Sequence, residues 1–160
     1  MAKLQKITPC LWFEGDAEDA VQFYLSVFPS GRIVDTLRYG DGAHMPKGTV
    51  LTITFDLNGS PFIALNAPPH DKFNDAISLQ VACETQDEID ALWTGLTADG
   101  GRPVQCGWLK DKYGVSWQIT PTALQDMLQA GDPKRSERVM KALLQMVKLD
   151  IAELQKAYDG

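Results

Sequence analysis

The chain repeats itself at about half its length, and this constrains the fold more than any single motif. Ile7-Thr-Pro-Cys-Leu-Trp-Phe13 is a short apolar run, followed by helical spacing over residues 16–28. Ile77-Ser-Leu-Gln-Val-Ala-Cys83 is a second such run, followed by helical spacing over residues 85–98. Pairing Asp16 with Thr85, 69 positions on, sets Phe23 on Leu92 and Tyr24 on Trp93. A repeat this long predicts two copies of one supersecondary unit, and two copies facing each other make a shared cavity.

Each copy reads in the same order. Residues 3–13 form a strand, and Ala17, Ala20, Val21, Tyr24 and Phe28 make the buried stripe of a helix with Asp16 as its N-cap. Residues 32–39 and 49–57 are strands, and Asn58-Gly59 signals a tight hairpin into a strand over 61–66. After a linker over 67–75, residues 76–83 form a strand. Thr85 and Glu88 then make a capping box, with Ile89, Leu92, Trp93 and Leu96 as the buried stripe. A strand region over 102–109, a solvated turn over 110–114 and a strand over 115–120 complete the second copy. A helical tail follows: a short helix opening at Pro121, a second capped by Asp132-Pro133, and a last one capped by Asp150. The expected fold class is α+β: two βαβββ modules (3–67 and 76–120) with a C-terminal helical extension (121–160), in one domain.

Composition excludes several function classes. The 160 residues are 44% hydrophobic and 22% charged, ordinary for one globular domain. A net charge of −6 gives phosphate no basic footprint, so nucleic acid is not an expected partner. No run approaches the roughly 18 apolar residues of a membrane span, and the first residues lack a secretory core, so no membrane partner and a cytoplasmic location are expected. Cys10, Cys83 and Cys106 are odd in number and widely spaced, which argues against a structural zinc site and for free thiols.

Several runs carry a resemblance across nearly the whole chain. They are Ile7 to Phe13, Phe23-Tyr24 with Phe28-Pro29, Phe62-Ile-Ala-Leu-Asn66, Ile77-Ser-Leu-Gln-Val81, Pro121-Thr-Ala123, and the segments from Arg138 and from Lys148. The most specific is Cys106-Gly-Trp-Leu-Lys-Asp-Lys-Tyr-Gly-Val-Ser-Trp-Gln118. With the βαβββ repeat, these resemble the vicinal oxygen chelate superfamily of glyoxalases, bleomycin-resistance proteins and dioxygenases. More closely, they resemble its PhnB-like branch, often described as 3-demethylubiquinone-9 3-methyltransferase. No glycine-rich turn follows the first strand, only Glu14-Gly15-Asp16, so an adenosylmethionine site of the Rossmann type is not expected.

The resemblance implies homodimers and, in metal-binding members, donor side chains on the first and last strand of each module. Carried over, those positions fall near Pro9, on Ser78, on Gln118 and within residues 63–66. Proline offers no donor, and hydroxyl and amide are poor ligands for iron, nickel or zinc. His44 and His70 sit in breaker-rich loops. No metal and no cofactor are therefore expected.

The candidate cavity residues are Cys10, Trp12, Asn66, Gln80, Cys106, Trp108 and Gln118. The cysteines are either reactive thiols or small buried hydrophobes. The tryptophans either wall an apolar site or pack a core, and Trp117, opposite in parity to Gln118, belongs under the helices. Asn66, Gln80 and Gln118 are polar where strands should be apolar. Gathered near one cavity, they favour a neutral hydrogen-bonding ligand, unless backbone or water satisfies them. Three functions follow: a metal-free small-molecule-binding homodimer, an enzyme of the superfamily with a non-standard site, or a dimeric scaffold whose cavity is filled. The first is the expectation, because no acid, base or nucleophile with an orienting partner is legible.

Overall fold

The structure, a computed structural model, describes residues 7–68, 71–129 and 131–160. The chain divides between Asp71 and Lys72 into two units. The first runs β1 (Cys10–Phe13), α1 (Ala17–Val27), β2 (Gly31–Arg38), β3 (Val50–Leu57), β4 (Ser60–Asn66). The second repeats the order with β5 (Leu79–Cys83), α2 (Gln86–Leu96), β6 (Arg102–Pro103), β7 (Trp108–Lys110) and β8 (Ser116–Pro121). It then adds α3 (Ala123–Gln129), α4 (Pro133–Leu143) and α5 (Ile151–Asp159). The sheets have the same topology, β1-β4-β3-β2 and β5-β8-β7-β6. In each, the first and last strands of the module pair in parallel and the other neighbours are antiparallel. The βαβββ repeat is thus present in both units.

One face of each sheet is covered by its own helix. In the first unit Leu11, Phe13, Ile53, Phe55, Phe62 and Ala64 are buried with Ala17, Ala20, Val21 and Tyr24 of α1. The rings of Tyr24 and Phe55 stack at 6.4 Å, and those of Phe55 and Phe62 at 5.5 Å. In the second unit Leu109, Trp117 and Ile119 are buried with Ile89, Leu92, Trp93 and Leu96 of α2, whose capping box forms as the sequence predicts. Asn58 (φ 49°) and Gly59 (φ 85°) both take the left-handed region, as a type I′ hairpin between β3 and β4 requires.

Several expectations are corrected. The strand predicted over 3–13 begins at Cys10, after Pro9, which lacks the N–H to extend the ladder; residues 3–6 lie outside the described residues. In the strand over 49–57, strict alternation would set Val50 on the side of Thr52, Thr54 and Asp56, but Val50 is buried with the core. The cause is a bulge, since Arg38 pairs with Val50 and Leu37 with Thr52, leaving Leu51 extra. The strand region predicted over 102–109 is broken by a turn in which Cys106 (φ 58°) and Gly107 (φ 81°) are left-handed. A Cβ on Gly107 would stand 2.9 Å from the Ile119 carbonyl oxygen and 3.0 Å from Leu149, so glycine is required there. Pro121 does not open a helix; it ends β8, beside Cys83. The turn at 110–114 is not simply solvated. Asp111 is buried, and its carboxylate accepts from the backbone N–H of Tyr113 and Val115 and from Trp117 Nε1 at 2.9–3.0 Å.

The tail packs on its own unit. Met127, Val139, Leu149 and Leu154 form a small core joined by Leu143, Met146 and Tyr158. Met146 and Val147 are not on a helix, since α4 ends at Leu143. Their carbonyls instead accept from Cys106 N and Gly107 N at 2.8 Å. Gln86 at the start of α2 donates to the Leu149 carbonyl and accepts from Ile151 N, and Lys148 pairs with Asp90.

Asp111→Ala removes the carboxylate that accepts from the Trp117 indole and from the backbone N–H groups of Tyr113 and Val115. We expect a loss of roughly 3 kcal/mol, seen as a lower urea midpoint with unchanged slope. An unchanged midpoint would contradict this account of the turn.

Candidate functional site

The face of each sheet opposite its helix is where side chains can meet something other than the core. Strand register assigns the second sheet's open face residue by residue. Gln80 of β5 stands beside Gln118 of β8, and Gln118 stands beside Trp108 of β7. Paired residues on neighbouring strands share a face about 4.8 Å apart, so these three candidates form one row across the sheet. Their neighbours on this face are Ser78, Ser116, Thr120 and Lys110. Trp117, on the other face, is 2% exposed, as its parity predicts.

The row is held by a hydrogen-bond lattice that uses only part of its polar capacity. Gln118 Nε2 donates to Ser78 Oγ at 2.8 Å. Gln80 Nε2 donates to Thr120 Oγ1 at 3.0 Å, and that hydroxyl donates to the Val81 carbonyl at 3.3 Å. At the far end, Lys110 pairs with Asp75 at 3.0 Å, and Ser116 Oγ donates to the same Asp75 oxygen at 2.6 Å. The Ser116 hydroxyl and then the Lys110 ammonium hold the Asp75 carboxyl below the usual carboxylate range. The face is therefore amide and hydroxyl along most of its length, with one indole and a single ion pair at its edge.

The first sheet carries a different surface. Cys10 and Trp12 share its open face with Ile63 and Leu65 of β4 and with Thr52 and Thr54 of β3. Trp12 is 40% exposed. Desolvation pushes the Cys10 thiol up, away from a reactive thiolate. Asn66 has a different role from a ligand contact. It is 1% exposed, its Oδ1 accepts from Ala17 N at 2.9 Å, and its Nδ2 donates to the Val50 carbonyl at 3.2 Å. Asn66 thus caps α1 from a neighbouring strand, a task the sequence suggests for Asp16, whose side chain makes no cap bond. Cys106 lies in the β6–β7 turn rather than on a strand. Cys83 is buried, and desolvation, with Glu88 nearby, pushes its thiol up to about 11.

Register also fixes the four positions that the superfamily resemblance assigns to metal donors. Phe13 pairs with Asn66 as Cys83 pairs with Pro121, so β5 follows β1 at 70 positions and β8 follows β4 at 55, against 69 between the starts of the helices. The extra residue lies in the turn before α1, where Gly15 takes φ 117°. Ser78 therefore corresponds to Thr8 rather than Pro9, and Gln118 to Ile63. Two hydroxyls, an amide and a hydrocarbon do not fit iron, nickel or zinc. Among the described residues no three of His, Cys, Asp and Glu come together to hold a metal, and His70 lies outside them.

Sequence reasoning missed Thr120, Ser116, Lys110 and Asp75. The parity that pointed to Gln118 would have found Thr120 and Ser116, two positions to either side of it. Asp75 reaches the face from the linker, which no periodicity marks.

Two tandem βαβββ modules with parallel outer strand pairs define the glyoxalase, bleomycin-resistance and dioxygenase fold of the vicinal oxygen chelate superfamily. Within it, the chain belongs to the family described as 3-demethylubiquinone-9 3-methyltransferase, whose family model matches residues 5–120. A putative 3-demethylubiquinone-9 3-methyltransferase, PhnB protein, from Bacillus cereus is 42% identical. The match covers 74% of this chain and 100% of that one, with a TM-score of 0.65. A Pseudomonas aeruginosa protein (18% identity, 74% and 98% coverage, TM-score 0.62) shares the fold. So does the fosfomycin resistance protein FosX from Listeria monocytogenes (12% identity, 79% and 98% coverage, TM-score 0.54). No curated protein matches the chain.

Two outcomes test this geometry. A thiol titration of the native protein at pH 8 should count at most two cysteines per chain, with Cys83 reacting only in denaturant; three fast thiols would refute its burial. Because the folded Asp75 carboxyl lies below its unfolded value, its stabilisation is complete above about pH 4 and fades as pH falls through the folded value. Asp75→Asn should thus lower the melting temperature at pH 6, with the difference shrinking in acid. An acid-independent difference would contradict the ion-pair role.

Proposed function

We propose that the protein is a metal-independent small-molecule-binding homodimer that holds a neutral ligand against the open faces of its sheets. The row Gln80, Gln118 and Trp108 carries this reading, because it sets amides and an indole together on a face their own helix does not cover. Amides with spare donors and acceptors recognise neutral polar groups, and an indole contributes flat apolar area. Neither the raised Cys10 thiol nor the amide row offers a nucleophile paired with a base. A methyl transfer would need an adenosylmethionine site, and Gly15 is the sole glycine in the turn after β1. Dimerisation is supported by the β2 edge strand, exposed along its length and carrying Ile33, Val34 and Leu37.

Native mass spectrometry of freshly purified protein tests all parts together. The expected species is twice the 17.7 kDa chain with a retained organic ligand and no stoichiometric transition metal. Trp108→Ala and Gln118→Leu should each lower the retained fraction by about tenfold. A 17.7 kDa species would overturn the dimer, a bound metal the metal-free reading, and unchanged retention in both variants the assignment of the face.

A further inference from the structure

The first tail helix does more than cover the core. Beside the end of the second sheet's open face lies a recess of about 300 Å³, walled by Gln80 and Thr120 of the sheet and by Leu124, Gln125, Leu128 and Gln129 of α3. That volume is at the lower end of the roughly 300–1,000 Å³ of ligand pockets. No charged side chain lines it. Gln125 and Gln129 are one helical turn apart, as are Leu124 and Leu128, so α3 presents two amides beside two leucines. The family model stops at residue 120, before α3 begins. This wall is therefore outside what the family model describes.

The hydrogen bonds fix which way Gln80 faces its partner. A hydroxyl has one hydrogen, and that of Thr120 is used on the Val81 carbonyl. Thr120 Oγ1 can then only accept from Gln80, so one N–H of the Gln80 amide is committed to it and the amide's orientation is set. The Gln80 carbonyl oxygen remains as an oriented acceptor at the recess wall. We infer that α3 converts the end of this face into a binding recess for a neutral small molecule with an N–H or O–H donor for Gln80 and an apolar body against Leu124 and Leu128. This rests on the small-molecule-binding reading above and deepens it, because it names the ligand's charge class and a subsite made by the tail.

Three isosteric probes separate the possibilities in the full-length protein: benzamide (neutral donor), benzoate (anion) and benzamidinium (cation). Binding is read from the glutamine side-chain amide and tryptophan indole signals in nitrogen-correlated NMR spectra. Benzamide should shift the Gln80, Gln125 and Gln129 amides, with at least about tenfold weaker binding in Gln80→Leu and in the recess-filling Leu128→Trp. Gln80 is exposed and Leu128 is packed at the margin of the tail's core, and an unchanged dispersion of the remaining signals verifies that each variant folds. Equal binding of benzoate or benzamidinium at these amides would overturn the neutral class. Shifts confined to Trp108 and Gln118 would overturn the recess while leaving the broader reading intact. No shift at any of these amides with any probe would overturn the recess, whereas the broader reading stands or falls on the retained ligand.

Discussion

The parallel pairing of the first and last strand of each module is the constraint on which the rest depends. A parallel pair cannot be joined by a tight turn, so a crossover helix must follow β1 and β5. That helix lies on one side of the sheet and buries it, which divides β1, β3 and β4 into core positions and open positions, and likewise β5, β7 and β8. Once Phe13 stands beside Asn66 and Cys83 beside Pro121, the facing of every residue back along those strands is decided. The meeting of Gln80, Gln118 and Trp108 is a consequence of that register, and so is the burial of Trp117 behind them.

Much of this was legible because strand parity and helix periodicity are properties of local sequence. The two helical stripes, the Asn58-Gly59 hairpin and the opposite facing of Trp117 and Gln118 all follow from spacing alone. What was not legible depends on contacts distant in sequence. Asn66 looked like a misplaced polar residue, but its amide serves the N-terminus of α1, 49 positions earlier in the chain. Asp111 looked like part of a solvated charged turn, but it is the acceptor around which that turn closes. Cys106 looked like a strand residue because nothing nearby announces that Met146 and Val147 will hold its backbone in a turn. In each case a polar or conformational demand made by a remote segment overrode the local pattern.

The two modules share a topology but differ in detail. A single additional residue before α1 offsets β1 and β5 against the helices, and a comparison at the helices' spacing therefore sets open-face positions of β1 against core positions of β5. The corrected correspondence sets Cys10 against Gln80 and Ile63 against Gln118. Both open faces carry an indole and hydroxyls, Trp12 with Thr52 and Thr54 in one and Trp108 with Ser116 and Thr120 in the other, but only the first adds a thiol and aliphatic groups and only the second adds amides. The amides of the second face have no counterpart at the matching positions of the first.

The tail belongs to that same module and shares its structural supports. Leu149 limits the β6–β7 turn to glycine at 107, Gln86 joins α2 to the segment before α5, and Thr122, just before α3, donates its N–H to the Cys83 carbonyl of the sheet. A loosened tail would therefore disturb the turn preceding Trp108 as well as the wall beside Gln80. Because Gln80 belongs both to the row that spans the sheet and to the recess under α3, a ligand reaching either place meets the same oriented carbonyl. The absence of charge at that carbonyl decides what it prefers. An ion of either sign would be desolvated there without a counter-charge, whereas a neutral donor meets the Gln80 carbonyl at little electrostatic cost.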